Sequence, residues 1–223
     1  MGSSTKKNRN SDNASILQEQ NERAAKTLLH LGGIREAAAA FRFCPACASP
    51  KLYSVRDRMW VCPDCGFEYF HNVATAAGII IEVNGSIVVL KRAKEPRKGS
   101  YALPGGFVES GERAEDAALR ECREEIGWAP EKIEFLASYP NIYKYHNIPY
   151  ATCDLYFSAK VPSFNSAELD IDPEETSEVL LLSADTIPWD MIAFESAQRA
   201  LRKYLLSRSI GLPPRSMEWE ALE

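Results

Sequence analysis

The chain has 223 residues, 45% of them hydrophobic, and a formal net charge of -5. That suits one catalytic domain of ordinary size with a small companion, and enough apolar residues to bury a real core. No apolar run reaches the roughly 18 residues needed to span a bilayer, and no secretory segment opens the chain, so membrane association is not expected and a cytoplasmic location is the default.

The charge is uneven. Residues 1–43 carry seven Lys/Arg against four Asp/Glu, and the rest is correspondingly more acidic. An acidic body argues against extended nucleic-acid binding, which wants a basic face. It suits carboxylates gathered around a cation, although the same charge also serves plain solubility.

In chain order, residues 1–21 are polar and read as a disordered tail. Residues 22–42 place Ala, Leu and Ile at helical spacing around Gly32-Gly33, a short helical segment. Residues 43–70 hold four cysteines. An apolar run follows at Ala74 to Val83, then Asn84-Gly85, then a second run at Ser86 to Leu90. Two β runs around Asn-Gly predict a hairpin, since both residues accept positive φ. Residues 113–126 read as a helix, with Ala114, Ala118 and Cys122 recurring every four residues. Strand patterns recur at 132–139, 150–161 and 178–183. A closing helix is expected over 190–207, opened by Asp190, and residues 208–223 form a tail. This order predicts an α/β fold with a mixed sheet and helices on both faces.

The cysteines are spaced Cys44-x2-Cys47, fourteen residues, Cys62-x2-Cys65. Each C-x2-C turn brings two sulfurs to one point, and two turns complete a tetrahedral thiolate shell for structural Zn²⁺. A redox pair or free thiols is the alternative. Lys51, Tyr53, Arg56, Arg58 and Trp60 between the turns could touch nucleic acid, but Asp57, Asp64 and Glu68 dilute them; a stabilising or dimerising module is the stronger expectation. Cys122 and Cys153 lie in apolar patterns and read as core residues.

The predicted helix carries the most informative pattern. Glu121, Glu124 and Glu125 stand at i, i+3 and i+4, so they share one face and repel. Alone they would read as a solvated acidic face. A hard divalent cation such as Mg²⁺ relieves the repulsion and keeps coordination positions for phosphate and water. Arg120 pairs with a neighbouring carboxylate, Gly105-Gly106 allow close backbone approach, and Gly127 supplies a helix stop.

From Gly106 to Trp128 the residues fill G-x5-E-x7-R-E-U-x-E-E-x-G-U, with Glu112 as the first acid. The chain therefore resembles the Nudix hydrolase family. The resemblance implies an α/β/α sandwich over 72–207 preceded by the small zinc ribbon at 43–70. It further implies Mg²⁺- or Mn²⁺-dependent cleavage of a nucleoside diphosphate linked to another group. By the same resemblance, Glu124 and Glu125 are the main ligands, Glu121 a ligand or the base, and Glu112 and Arg120 assistants. The Gly105 carbonyl and Glu178, with Glu174 and Glu175 as competitors, are further ligand candidates.

A ribbon before such a domain is similar to enzymes acting on NADH, FAD or ADP-ribose. Those acting on NADH typically carry Ser-Gln-Pro-Trp-Pro-Phe-Pro; here Ser138–Lys144 matches only at Ser138 and Pro140, with an aromatic Tyr143. Phe107, Tyr139 and Tyr143 are candidates to stack on a base, and Arg92 to meet phosphate. Tyr145, Arg97 and Lys98 are further candidates, and His146 reads as structural. Dimerisation is an expectation from the resemblance alone. The competing readings are a nucleotide-sensing regulator and an enzyme acting on nucleotide-capped RNA, both using the ribbon for nucleic-acid contact.

Overall fold

The computed structural model describes residues 41–55, 59–145, 148–163 and 169–209. The expectations for residues 1–40 and 210–223 lie outside the described residues, as do Arg56, Asp57, Arg58 and His146. The chain divides into two compact units, with the boundary at Asn72.

The smaller unit is a three-stranded antiparallel sheet of β1 (Tyr53–Val55), β2 (Met59–Val61) and β3 (Glu68–Phe70). Two turns share one geometry, one before β1 and one joining β2 to β3. In each, the amide four residues after the leading cysteine donates back to it: Ala48 to Cys44 and Gly66 to Cys62. Each leading cysteine then donates onward, Cys44 to Ser49 and Cys62 to Phe67. Both closing residues take positive φ, 58° at Ala48 and 75° at Gly66. The apolar content is small: Trp60 is buried against Phe41, Tyr69 and the edge of His71.

The larger unit is built on a mixed sheet in the order β10-β5-β4-β9-β8, with β6 on β5 and β7 on β4. The strands are β4 (Ala74–Val83), β5 (Ser86–Arg92), β6 (Tyr101–Ala102), β7 (Gly105–Phe107), β8 (Glu134–Tyr145), β9 (Ile148–Val161) and β10 (Thr176–Ser183). The predicted Asn84-Gly85 hairpin forms, with Val83 opposite Ser86 and both turn residues at positive φ. β4 pairs with β9 in parallel, from Ala74 opposite Thr152 to Val83 opposite Val161.

Helices cover both faces: α1 (Ala114–Ile126) and α2 (Glu195–Ser209). That explains the unbroken Ile79-Ile80-Ile81 run, because a strand covered on both sides has no polar face to alternate with. Ile79 and Ile81 pack with Ala118 and Cys122 of α1, while Ile80 packs with Ala200 and Leu201 of α2. α1 ends at Gly127, whose φ of 70° carries the chain out of the helix while its N–H donates to Arg123 O. The mixed α/β sheet with a helix on each face, and a separate small sheet holding the four cysteines, match the expectation.

Two boundaries differ from the sequence reading. The closing helix does not open at Asp190. Ile192 bridges to Tyr101 and the Ala193 N–H donates to Tyr101 O, which holds this stretch extended until Glu195. A short 3-10 turn, Trp189–Met191, stands where the first helical turn was expected. Likewise, the strand expected over 132–139 runs further, and Ser138–Lys144 lies within β8. Pro140 is tolerated there because β8 ends the strand order, and an edge strand can spare one donor.

Candidate active site and metal centres

In the ribbon, Cys44, Cys47, Cys62 and Cys65 bring their Sγ atoms within 4.8 Å of one another. The Cys44–Cys65 and Cys47–Cys62 separations are 3.7 and 3.6 Å. A zinc–sulfur bond of about 2.3 Å gives a tetrahedron with an edge of about 3.8 Å. The four sulfurs therefore fit that ion. Asp64 braces the second turn against the first, accepting from Ser49 Oγ at 2.6 Å and Lys51 Nζ at 2.8 Å.

In the larger unit, a cavity of about 310 Å³ opens beside α1 and β7. Glu121, Glu125 and Glu175 all line it. Glu125 is only 8% exposed, and its Oε2 accepts from the Gly105 N–H at 2.9 Å. Burial pushes its carboxyl up to about 8, against the pull of that N–H and with the charges of Glu121 and Glu175 adding to the rise. Burial also raises Glu121, against the opposing pull of Arg120. Glu121, Glu125 and Glu175 are side chains of this cavity whose oxygens could hold a divalent cation.

Arg120 is the organiser of the outer side. Its Nε and Nη2 grip Glu112 at 2.9 and 3.0 Å, and its Nη1 reaches Glu121 and Glu124 at 2.9 Å each. Nη2 also donates to Phe107 O, tying α1 to β7. Arg120 holds Glu112 well below the usual carboxylate range, with help from the Glu109 N–H. Gly106 clears the space for Glu121: a Cβ there would lie 2.4 Å from the Glu121 carboxyl carbon. Gly105 has φ of 148°, and a Cβ on it would strike Ala77 O at 2.3 Å, so β7 can lie against β4 only with glycine here.

The structure separates residues that the sequence grouped. Glu124 is outside the cavity lining; its side chain is 59% exposed and held by Arg120. Glu178 is also outside: it sits across from Lys91 and pairs with it at 3.7 Å. The cause is a bulge between Thr176 and Glu178, which turns Glu178 to the open side of β10. Glu175 reaches the cavity in its place, carried by a turn in which the Asp172 N–H caps Glu125 O and the Ala93 N–H takes Glu175 O. Lys94 pairs with Glu175 and also lines the cavity.

Phe107 and Tyr143 line the cavity as edge-to-face neighbours, with centroids 5.3 Å apart, and Tyr143 meets Phe194 at 5.8 Å. The Arg92 guanidinium lies over Phe194 at 5.3 Å, with Nε donating to Pro96 O and Nη2 buried without a partner. Tyr139 is corrected: it is 5% exposed in the core beneath α2, further along β8 than the cavity reaches. Sequence reasoning missed Lys94, Asn141, Thr152, Asp154 and Phe194, all of which line the cavity. One signal was available: Thr152 and Asp154 put polar groups at i and i+2 in a strand otherwise rich in apolar residues.

Residues 71–204 match the family model of the NUDIX domain. The chain is 29% identical over 174 residues to the NAD-capped RNA hydrolase NudC of Stutzerimonas stutzeri, covering 77% of this chain and 58% of that protein. It is 45% identical over 71 residues to the ADP-ribose pyrophosphatase of Methanocaldococcus jannaschii, covering 32% of this chain and 41% of that one. The crystal structure of a NUDIX hydrolase from Nitrosomonas europaea superposes with a TM-score of 0.60 at 27% identity, covering 78% of this chain and 95% of that one. The chain thus spans under two-thirds of the length of the NudC relative it matches.

Proposed function

We propose, from the premise that the chain belongs to the NUDIX domain family, that it is a divalent-cation-dependent pyrophosphohydrolase of a nucleoside diphosphate joined to a second group. The observation that carries this is the convergence of Glu121, Glu125 and Glu175 on one cavity, with Glu125 pushed up to about 8 by burial and by the other two.

Glu125 and Glu175 would hold Mg²⁺ or Mn²⁺, with Glu121 and the Gly105 carbonyl beside them. When bound, such a cation would neutralise charge on the nonbridging phosphate oxygens and make a water more acidic. Glu121 accepts the proton of that water; its raised affinity for protons suits the task. Water oxygen bonds to one phosphorus, the bridging P–O bond breaks, and two phosphate monoesters leave. Arg120 positions Glu121 and Glu112. The unpartnered Nη2 of Arg92 and the ammonium of Lys94 are set to receive phosphate oxygens. Phe107 and Tyr143 offer ring faces and edges to a base. The four cysteines would hold structural Zn²⁺.

A second reading has its own support: the Stutzerimonas relative is named as a hydrolase of NAD-capped RNA. That brings a nucleotide at the end of an RNA strand back among the substrates, although the acidic body argued against it. The test is incubation of the purified full chain with ADP-ribose, NADH, FAD and a 5′-NAD-capped oligoribonucleotide, with Mg²⁺ or Mn²⁺. Release of AMP, or of the 5′-monophosphate RNA, is expected and is expected to vanish in Glu125→Gln. No release from any of them would sink the hydrolase reading and promote a nucleotide sensor.

A further inference from the structure

The cavity has a second set of polar groups, carried by β9 rather than by α1. Thr152 and Asp154 stand on one face of β9, and both line the cavity. They are 3% and 6% exposed. Asp154 Oδ2 is fully engaged: it accepts from Ser196 Oγ at 2.6 Å and from Asn141 Nδ2 at 2.9 Å. Tyr156 stands 2.9 Å behind Ser196, so the chain of donors runs Tyr156 to Ser196 to Asp154. Asp154 Oδ1 and Thr152 Oγ1, by contrast, have no partner, and bulk solvent does not reach them. A buried acceptor left unpaired is costly and calls for a partner, which in a cavity wall a water, an ion or a ligand donor can supply. Beside these groups, Asn141 and Tyr143 share a face of β8, and Tyr143 sits between Phe107 and Phe194.

We infer that Asp154 Oδ1, with Thr152 Oγ1 beside it, is the acceptor that selects a base bearing an exocyclic amino group. The inference rests on the nucleotide reading of the same cavity. A carboxylate oxygen takes donors and offers none, so it accepts an amino N–H and opposes a carbonyl oxygen. The aromatic residues beside it supply the flat surface that a heterocycle stacks on. A base edge seated at this wall reaches the two orphaned atoms with side-chain adjustment of the lining alone, the commonest change on binding. The site therefore prefers adenine to hypoxanthine, which carries a carbonyl at the same position.

The locked Oδ2 makes a sharper expectation. In Asp154→Asn, the amide oxygen is expected in the place of Oδ2, where Asn141 Nδ2 and Ser196 Oγ already donate. The amide NH₂ then falls at the orphaned position. The acceptor becomes a donor, and the preference turns from amino to carbonyl.

The experiment is binding of AMP and IMP to the full chain, followed by ligand-observed NMR or calorimetry with Mg²⁺ present. Wild type is expected to bind AMP at least about tenfold more tightly than IMP. Folded Asp154→Asn is expected to bind IMP as tightly as AMP or more so. Equal binding of the two by wild type overturns the inference, as does no binding of either, or a folded Asp154→Asn that keeps the wild-type preference. Should Asp154→Asn fail to fold, the wild-type pair decides alone, and Thr152→Val is expected to narrow the ratio. Turnover measured on the same samples separates the two readings. Selective binding without hydrolysis sinks the hydrolase and leaves this site standing; hydrolysis with equal binding sinks this site only.

Discussion

The two units hold charge in opposite ways. In the ribbon, strands of three residues and one buried tryptophan surround four sulfurs. In the larger unit, two apolar clusters on either face of a sheet fix the carboxylates of α1 before any ion arrives. The ribbon is the kind of fold that an ion creates, and the cavity is the kind of ion site that a fold creates. The cost of emptying each site should therefore fall in different places: on structure in the ribbon, and on chemistry in the cavity.

The largest expected effect breaks the comparison if it fails. Chelation of zinc, or Cys62→Ser, should unfold residues 43–71, since structural zinc in small modules contributes on the order of 10 kcal/mol. Hydrogen exchange should show protection lost there and kept in β4 and β9. Protection surviving chelation would mean the ribbon holds itself together. Next, Glu125→Gln should cut turnover by about a thousandfold with Mg²⁺ while leaving the melting temperature no lower, because a neutral amide replaces a charge that burial disfavours. A collapsed fold would show that Glu125 is structural.

The third expectation concerns pH in metal-free protein. Glu125 binds its proton more tightly in the fold than in the unfolded chain, with a folded value of about 8. Between about pH 4.5 and 8, the native state thus carries more protons than the unfolded one. Stability should fall as pH rises through that window, by up to a few kcal/mol, and Mg²⁺ should restore it. Thermal melts across pH 5 to 8.5 check this, and a flat profile would place Glu125 in a more polar setting. The smallest effect sharpens which late acid matters: Glu175→Gln should lower kcat about tenfold, while Glu178→Gln should stay within about twofold.

What was legible in the sequence was local. A spacing of four residues within one helix placed Glu121 and Glu125 on one cavity, while the same periodicity did not carry Glu124, expected as a main ligand, into it; C-x2-C within one turn placed the sulfurs. Asn84-Gly85 fixed its hairpin for the same reason. The remaining residues depend on register between distant segments. Glu175 enters and Glu178 leaves because of one bulge in β10. Asp154 meets Ser196 across 42 residues of sequence, and Phe194 is placed by a strand-like bridge to Tyr101. Tyr139 and Tyr143 lie four residues apart in one strand, yet only Tyr143 reaches the cavity, because α2 covers the sheet above Tyr139. No periodicity within a single segment encodes these outcomes.

The parallel pairing of β4 with β9 has a consequence for synthesis. Ala74 waits for Thr152, so the interval between the two partners is 78 residues of chain. At roughly 5–20 residues per second, a ribosome leaves the Ile79-Ile80-Ile81 edge unmatched for some 4–16 s. During that time its backbone groups are open to any passing strand, and its side chains have lost the shield that α2 later gives. The segment that anchors the finished sheet is thus, on the nascent chain, one that waits long for its partner.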